Sequence, residues 1–265
     1  GQSASRCLGE EHGARSNALD RMVSETGRAV PSYEEEIVDA SGKTRVFLSS
    51  KTPLLDPDGE VNAILTTSID ITERKDAENY LHHMAHHDAL TGLPNRSLLH
   101  QRINREIARS RRGDRMFALH LIDLDDFKSI NDLHGHGVGD RFIATIGQRL
   151  QALARRQDTV ARIGGDEFAV LQTNISGPLA AQQFASAMLK VIAQPHACDT
   201  GIVASSGSVG ITMQPSDGAD GGVLLKNADT AMYRAKADGG NRASLYASDM
   251  QNTALHNATL DGELR

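Results

Sequence analysis

Cysteine is nearly absent from this chain: Cys7 and Cys198 are the two among 265 residues. They stand far apart and show neither zinc-site spacing nor a C-x-x-C pair. A disulfide scaffold and a thiolate metal centre are thereby set aside, and a reducing, cytoplasmic compartment fits. A basic excess is missing too. Lys and Arg number 28 against 34 Asp and Glu, a formal net charge of −6, so nothing argues for bulk nucleic-acid binding. No apolar run is long enough to span a bilayer, and no secretory signal is visible. The first residue is Gly1 rather than Met, as expected of a piece whose parent is free to carry a membrane anchor elsewhere.

What the chain does carry is concentrated in T-V-A-R-I-G-G-D-E-F-A-V-L, Thr159–Leu171. Two runs of strand formers flank Gly164-Gly165. This predicts a tight hairpin with positive φ at both glycines, which take it at little cost. Asp166 and Glu167 follow at once, and a turn alone has no need of them. A second acid group closes the strand Phe117–Asp123, in I-D-L-D-D-F-K. An unpaired carboxylate is too costly to bury, so Asp123, Asp125 and Asp126 belong at the strand's carboxyl end, where ligands gather in α/β sheets. One of Asp125 and Asp126 reads as a helix cap. If the hairpin lies beside this strand, Asp123 and Asp166 converge, and converging carboxylates repel unless a cation stands between them. Oxygen ligands alone suit Mg²⁺ holding substrate phosphates.

The region to about residue 71 is β-rich. Tyr33–Asp39, Arg45–Ser50 and Val61–Ile69 read as strands, with turns at Ala40–Lys43 and Asp56-Pro57-Asp58-Gly59. Residues 72–87 form a connector helix that Thr72 can cap. Its Ala77, Leu81, Met84 and Ala85 share one face, which predicts pairing with a second copy. From Asp88, helices and strands alternate. Helices are expected over Ser97–Ser110, Val138–Arg156, from Pro178, and over Val223–Ala237. Further strands are expected within Ile202–Met213 and over Arg242–Tyr246. The pattern is a mixed α/β (α+β) domain with helices covering a sheet.

Two resemblances attach to these residues. D-G-E-V-N-A-I-L-T-T-S-I-D-I-T-E-R-K, Asp58–Lys75, resembles the end of a PAS sensor domain leading into a signalling helix. Residues 1–71 are therefore expected to be a partial PAS domain whose ligand the sequence does not reveal. D-A-L-T-G-L-P-N-R (Asp88–Arg96), I-D-L-D-D-F-K-S-I-N-D-L-H-G-H-G-V-G-D (Ile122–Asp140), R-I-G-G-D-E-F (Arg162–Phe168) and A-M-Y-R-A-K-A-D-G-G-N (Ala231–Asn241) resemble, in order and spacing, the GGDEF diguanylate cyclases. That likeness implies a palm-like nucleotidyl-cyclase domain over 88–248, which condenses two GTP into cyclic di-GMP and releases two pyrophosphates.

Position by position, the likeness implies that Asp123, the Leu124 carbonyl and Asp166 bind Mg²⁺ or Mn²⁺. Glu167 assists the metal or acts as general base. Asn131 and Asp140 hold the guanine edge with His136 nearby, while Phe127, Lys128 and Lys236 line the triphosphate site. Gly164 and Gly165 would let phosphates approach bare backbone. The family often has Arg where Gly240 stands, so weaker GTP affinity is expected.

The R-R-Q-D run, Arg155–Asp158, reads on its own as a basic helix end. The family likeness makes Arg155 and Asp158 an inhibitory site for cyclic di-GMP. The His82/His86 and His83/His87 pairs have metal spacing, but no acid or Cys completes either at a standard spacing. Residues 249–265 are expected to be helical and resemble the lead-in to an EAL phosphodiesterase domain. A homodimer through the connector and PAS segment would bring two GTP together. Two other readings leave the acids idle: a GTP-binding regulatory domain of a phosphodiesterase, and a cyclic di-GMP-binding module.

Overall fold

The computed structural model describes residues 10–39, 41–111, 113, 115–198, 201–248 and 250. Cys7 and, apart from Met250, the tail 249–265 with its expected helix lie outside them. Among the described residues no helix is long and apolar enough to cross a membrane. The chain divides into two compact units, Gly1–His83 and Met84–Arg265.

The first unit opens with a helix that the sequence did not announce, α1 (Glu10–Thr26). Three antiparallel strands follow in the order β1 (Val30–Val38), β2 (Thr44–Leu55), β3 (Val61–Asp70). Asp carboxylates build the two turns: Asp39 accepts the N–H of Ser41 and Lys43, and Asp56 those of Asp58 and Glu60. Lys51, in mid-strand, is buried with its ammonium on Asp20 and, at 3.0 Å, Ser16 of α1. The connector is α2 (Thr72–His86). Thr72 does not act as its cap: its N–H and hydroxyl both donate to Asp70, which takes the capping role.

The second unit is built on a five-stranded sheet in the order β10-β9-β4-β6-β5. Its centre is β4 (Met116–Leu124), flanked by β6 (Glu167–Ile175) and β9 (Gly207–Gln214). At the edges lie β5 (Thr159–Gly164) and β10 (Arg242–Leu245), the latter parallel to β9 while every other pairing is antiparallel. A strand paired on both sides and covered on both faces is buried from end to end, and Phe117–Leu124 is.

Helices cover each face. On one side α5 (His136–Leu153) and α6 (Pro178–Ile192) lay Phe142, Ile146, Leu150 and Met188 against Ile122 and Phe168. On the other, α3 (Arg96–Ser110) and α7 (Gly221–Ala237) bring Leu99, Ile103, Leu224 and Ala228 onto Leu119 and Leu121. These spacings of four residues follow the apolar stripe of a surface helix. Asn95 caps α3 and Asp220 caps α7 through the N–H groups of Leu98 and Val223.

Several boundaries differ from the sequence reading. A short helix, α4 (Phe127–His134), stands between β4 and α5. The stretch Ile202–Met213, expected to contain a strand, is occupied by two: β8 (Gly201–Val203), paired with β7 (His196–Cys198), and β9. Helix α5 stops at Leu153, because Ala154 is extended, so Arg155–Asp158 is a turn and not a helix end.

Candidate active site

The acids meet where β4 ends. Asp123 lies directly across the ladder from Glu167 on one side and Ser208 on the other. The β5–β6 turn projects one residue further, and its Asp166 carbonyl accepts the N–H of Leu124 at 3.3 Å. The turn residues are Gly165 and Asp166, so positive φ is needed once, at Gly165 (+52°), whereas Gly164 still belongs to the ladder opposite Glu167. A Cβ added at either glycine would meet nothing within 4 Å, which leaves the backbone open to approach.

Arg162 holds this turn in place. Its guanidinium donates to the Gly165 carbonyl at 2.7 and 3.1 Å and to both Asp88 oxygens at 3.0 and 3.1 Å. Asp88 in turn accepts the N–H and hydroxyl of Thr91. The sequence motifs contain both residues, yet nothing local announces that one grips the other.

Electrostatics at the strand end are unfavourable to bare acids. Asp123 is 8 % exposed; burial pushes its carboxyl up, the Lys236 ammonium 2.6 Å away opposes this, and Asp166 adds to the rise. Glu167 is also pushed up, first by burial and then by Asp123, Asp229 and Asp166. Crowded carboxylates of this kind favour a cation. Among the described residues no three His, Cys, Asp or Glu side chains gather as a metal cluster. An ion here would take two carboxylates and a carbonyl from the chain, and the remaining oxygens from a phosphate. That all-oxygen donor set fits Mg²⁺.

The other expected residues fall into three groups. Phe127 and Lys128 open α4, whose N-cap Asp126 is left-handed (φ 54°) and makes no side-chain capping bond. Neither acid caps this helix, because Asp125 turns to Ser206, Ser208 and Asn241. The Phe127 ring stacks on Phe142 with the ring centroids 6.5 Å apart. Asn131 on α4 faces the start of α5, where His136 and Asp140 are exposed and one turn apart. Gly139 makes that proximity feasible: an ideal Cβ there would overlap the Asn131 side-chain oxygen. Lys236 lies in the last turn of α7 and reaches Asp123.

Arg155 and Asp158 divide their work. Asp158 is buried, and its carboxylate accepts the N–H of Thr173 at 2.9 Å and that of Arg155 at 3.1 Å. It builds the turn, whereas Arg155 is exposed. Beside this turn, Arg102, Arg105 and Arg109 line a cleft of about 190 Å³ together with Gln157. A larger cavity of about 460 Å³ opens next to Glu167, between Arg96 and His100 of α3 and Lys226 and Asp229 of α7. In the histidine cluster, the His87 ring bonds the Gly92 carbonyl at 3.0 Å.

Comparison with known proteins bears on the same region. The family model described as "Diguanylate cyclase, GGDEF domain" matches residues 85–242, and a PAS fold model matches 1–76. The bifunctional diguanylate cyclase/cyclic di-GMP phosphodiesterase MucR of Pseudomonas aeruginosa is 41% identical over 199 residues, 75% of this chain and 29% of MucR. The cyclic di-GMP phosphodiesterase PdeR of Escherichia coli is 31% identical over 260 residues, 97% of this chain and 38% of PdeR. The chain thus spans well under half the length of these relatives. The solved GGDEF domain of TpbB from Pseudomonas aeruginosa superposes with a TM-score of 0.62 at 34% identity, covering 64% of this chain and 99% of that one.

Proposed function

The chain belongs to the diguanylate cyclase family defined by the GGDEF domain, and from that premise we propose that it condenses two GTP into cyclic di-GMP with release of two pyrophosphates. One observation carries this reading: Asp123 and Glu167 face each other across β4 and β6, with Asp166 next to Glu167 in the turn. In each half-reaction a ribose 3′-oxygen bonds to the partner nucleotide's α-phosphorus, and the α–β phosphoanhydride bond breaks.

Asp123, Asp166 and the Leu124 carbonyl would hold Mg²⁺, which when bound supplies Lewis acidity to the phosphate and acidifies the hydroxyl. Asn131 and Asp140 hold the guanine, and the amides that open α4 receive phosphate oxygens. Lys236 exchanges its Asp123 contact for the triphosphate. Glu167, whose proton affinity is raised by burial and then by its acidic neighbours, takes the hydroxyl proton. Arg155 binds the product at a separate inhibitory turn. Residues 1–71 serve as a PAS sensor segment, 72–87 as connector, 88–248 as cyclase, and 249–265 as a lead to an EAL domain, on the cytoplasmic side of a parent free to carry a membrane anchor. Since one domain holds one GTP, two copies must meet face to face.

A second reading is favoured by the phosphodiesterase name of PdeR, similar over 97% of this chain: a domain that binds GTP and regulates an attached phosphodiesterase without turnover. Incubation with GTP and Mg²⁺, following cyclic di-GMP and pyrophosphate together, separates the two. Asp123→Ala and Asp166→Ala are expected to lower the rate by about a hundredfold or more. GTP binding without turnover in the wild-type chain would leave the regulatory reading standing, and near-normal rates in either variant would remove the metal assignment.

A further inference from the structure

We propose that Asp125 is a positioning residue for this site, a hydrogen-bonded pin that aims the Leu124 carbonyl and anchors the turn behind Lys236; the inference rests on the cyclase reading above. Asp125 sits one residue past the end of β4, and its carboxylate gathers two distant segments. Oδ2 accepts the Ser206 hydroxyl at 2.6 Å and the Asn241 N–H at 3.0 Å, and Oδ1 accepts the Ser208 hydroxyl at 2.8 Å. Its backbone is held as well: its N–H donates to the Ser206 carbonyl at 3.0 Å, and its own carbonyl accepts the Ser205 hydroxyl at 2.7 Å.

The first of these backbone bonds has a direct consequence. The Asp125 N–H and the Leu124 carbonyl belong to one planar peptide unit. Fixing the N–H on Ser206 therefore fixes the direction of the carbonyl proposed as a metal ligand. The carboxylate and the backbone of Asp125 act on the same loop, so losing the carboxylate frees that peptide plane.

The other end of the pin lies in the turn after α7. Gly239, Gly240 and Asn241 have φ of 105°, 67° and 49°, three successive left-handed residues of which the last has a side chain. Such a run persists only where surrounding contacts over-determine it, and the Asn241 N–H bond to Asp125 is one of those contacts. Position 240 is tight for a side chain: a Cβ there would stand 3.1 Å from Oδ2 of Asp125, which would have to give way by a few tenths of an ångström. The same turn ends the helix that delivers Lys236, whose carbonyl accepts the Gly239 N–H at 3.0 Å. Asp125 thus ties the two sides of the site together.

A pin made of hydrogen bonds and a ligand that acts by charge respond differently to Asp125→Asn. The carboxamide oxygen can still accept from Ser206 and Asn241, and its nitrogen can donate to the Ser208 hydroxyl, which reverses its role. Initial rates against GTP and Mg²⁺ should show Asp125→Ala lowered at least about tenfold in kcat, with a raised half-saturating Mg²⁺. Asp125→Asn should stay within about threefold of wild type in both. Amide exchange at Asn241 should quicken in Asp125→Ala and not in Asp125→Asn.

Wild-type behaviour in Asp125→Ala overturns the proposal, as does an Asp125→Asn variant as impaired as alanine, since charge would then be the active property. If Asp125→Ala does not fold, the Ser206→Ala/Ser208→Ala double variant carries the test, and its wild-type rate and Mg²⁺ response would overturn the pin. A wild-type chain that makes no cyclic di-GMP refutes the cyclase reading separately; the pin is then judged by Asn241 exchange and by Mg²⁺-dependent GTP binding in the same variants.

Discussion

The side-chain oxygen of Asn131 on α4 occupies the space that any side chain at Gly139 on α5 would need. The relation couples α4 to α5 on the side where guanine binding is proposed, and it predicts a selective lesion. In Gly139→Ala the backbone of two helices is hard to move, whereas the end of a flexible amide is not, so Asn131 gives way. GTP affinity should fall about tenfold, the loss of one to two hydrogen bonds, while melting drops only modestly. Calorimetry with GTP and ATP checks this: unchanged GTP affinity would show that Asn131 does not read the base.

The buried histidine of β4 predicts a pH dependence that has nothing to do with catalysis. His120 is fully buried; its Nε2 lies 3.0 Å from Gln172 Oε1, and its ring meets Phe184 edge-on at 5.6 Å. Burial pushes its pKa down to about 4, against a smaller opposing effect of Gln172. Unfolded histidine titrates near 6.5, so between about 6.5 and 4 the unfolded chain binds a proton that the folded chain refuses. Stability therefore falls as pH drops through that window, by up to roughly 3 kcal/mol. The raised carboxyls of Asp123 and Glu167 act with the opposite sign, but they are common to wild type and His120→Leu. Urea melts of both from pH 7 to 4.5 should show a steeper loss in wild type; parallel curves would contradict the assignment.

Arg155 and Asp158 predict different phenotypes despite sharing one motif. Arg155→Ala removes an exposed cation and should weaken cyclic di-GMP binding about tenfold with no change in melting. Asp158→Ala leaves the Thr173 and Arg155 amides without their acceptor in a buried turn, and should cost about 1–3 kcal/mol of stability before any effect on the ligand. Product titrations and thermal melts on the two proteins decide the matter. Equal product affinity in wild type and Arg155→Ala would end the inhibitory-site reading.

These contrasts mark what sequence could reveal. Asp123, Asp166 and Glu167 were legible because an acid at the end of an apolar strand, or in a hairpin turn, has no place in a core. The central sheet and four of its covering helices were legible from periodicity. Helix α4 was not, since eight residues with Leu133 81% exposed make too little of an apolar stripe. Nor were the bonds of Asp88 to Arg162 and of Asp125 to Ser206, Ser208 and Asn241, which join segments far apart along the chain. The partners of Asp125 fall within Ile202–Met213, expected to contain a strand, and at the end of the Ala231–Asn241 motif, where nothing local points to Asp125. Gly139 looked like one glycine among several, until Asn131 stood against it.

The connector carries the prediction that links signal to chemistry. Along α2, Ala77, Leu81, Met84 and Ala85 recur on one face, and Leu81 is 67% exposed and Met84 41%. Apolar side chains at that spacing gain little from water and would gain from a second copy of the helix. In the proposed mechanism each domain holds one GTP, so the rate depends on two domains meeting. Leu81→Asp places a charge on the seam, and burying it there without a counter-ion is unfavourable enough to keep the helices apart. The residues assigned to GTP and Mg²⁺, Asn131, Asp140, Asp123 and Asp166, lie on other elements, so nucleotide affinity should persist. Specific activity should fall at least tenfold at low micromolar protein and climb steeply with concentration as pairs re-form. Sedimentation and turnover measured on the same samples give the answer: a monomeric variant that keeps full activity at high dilution would refute catalysis by paired domains.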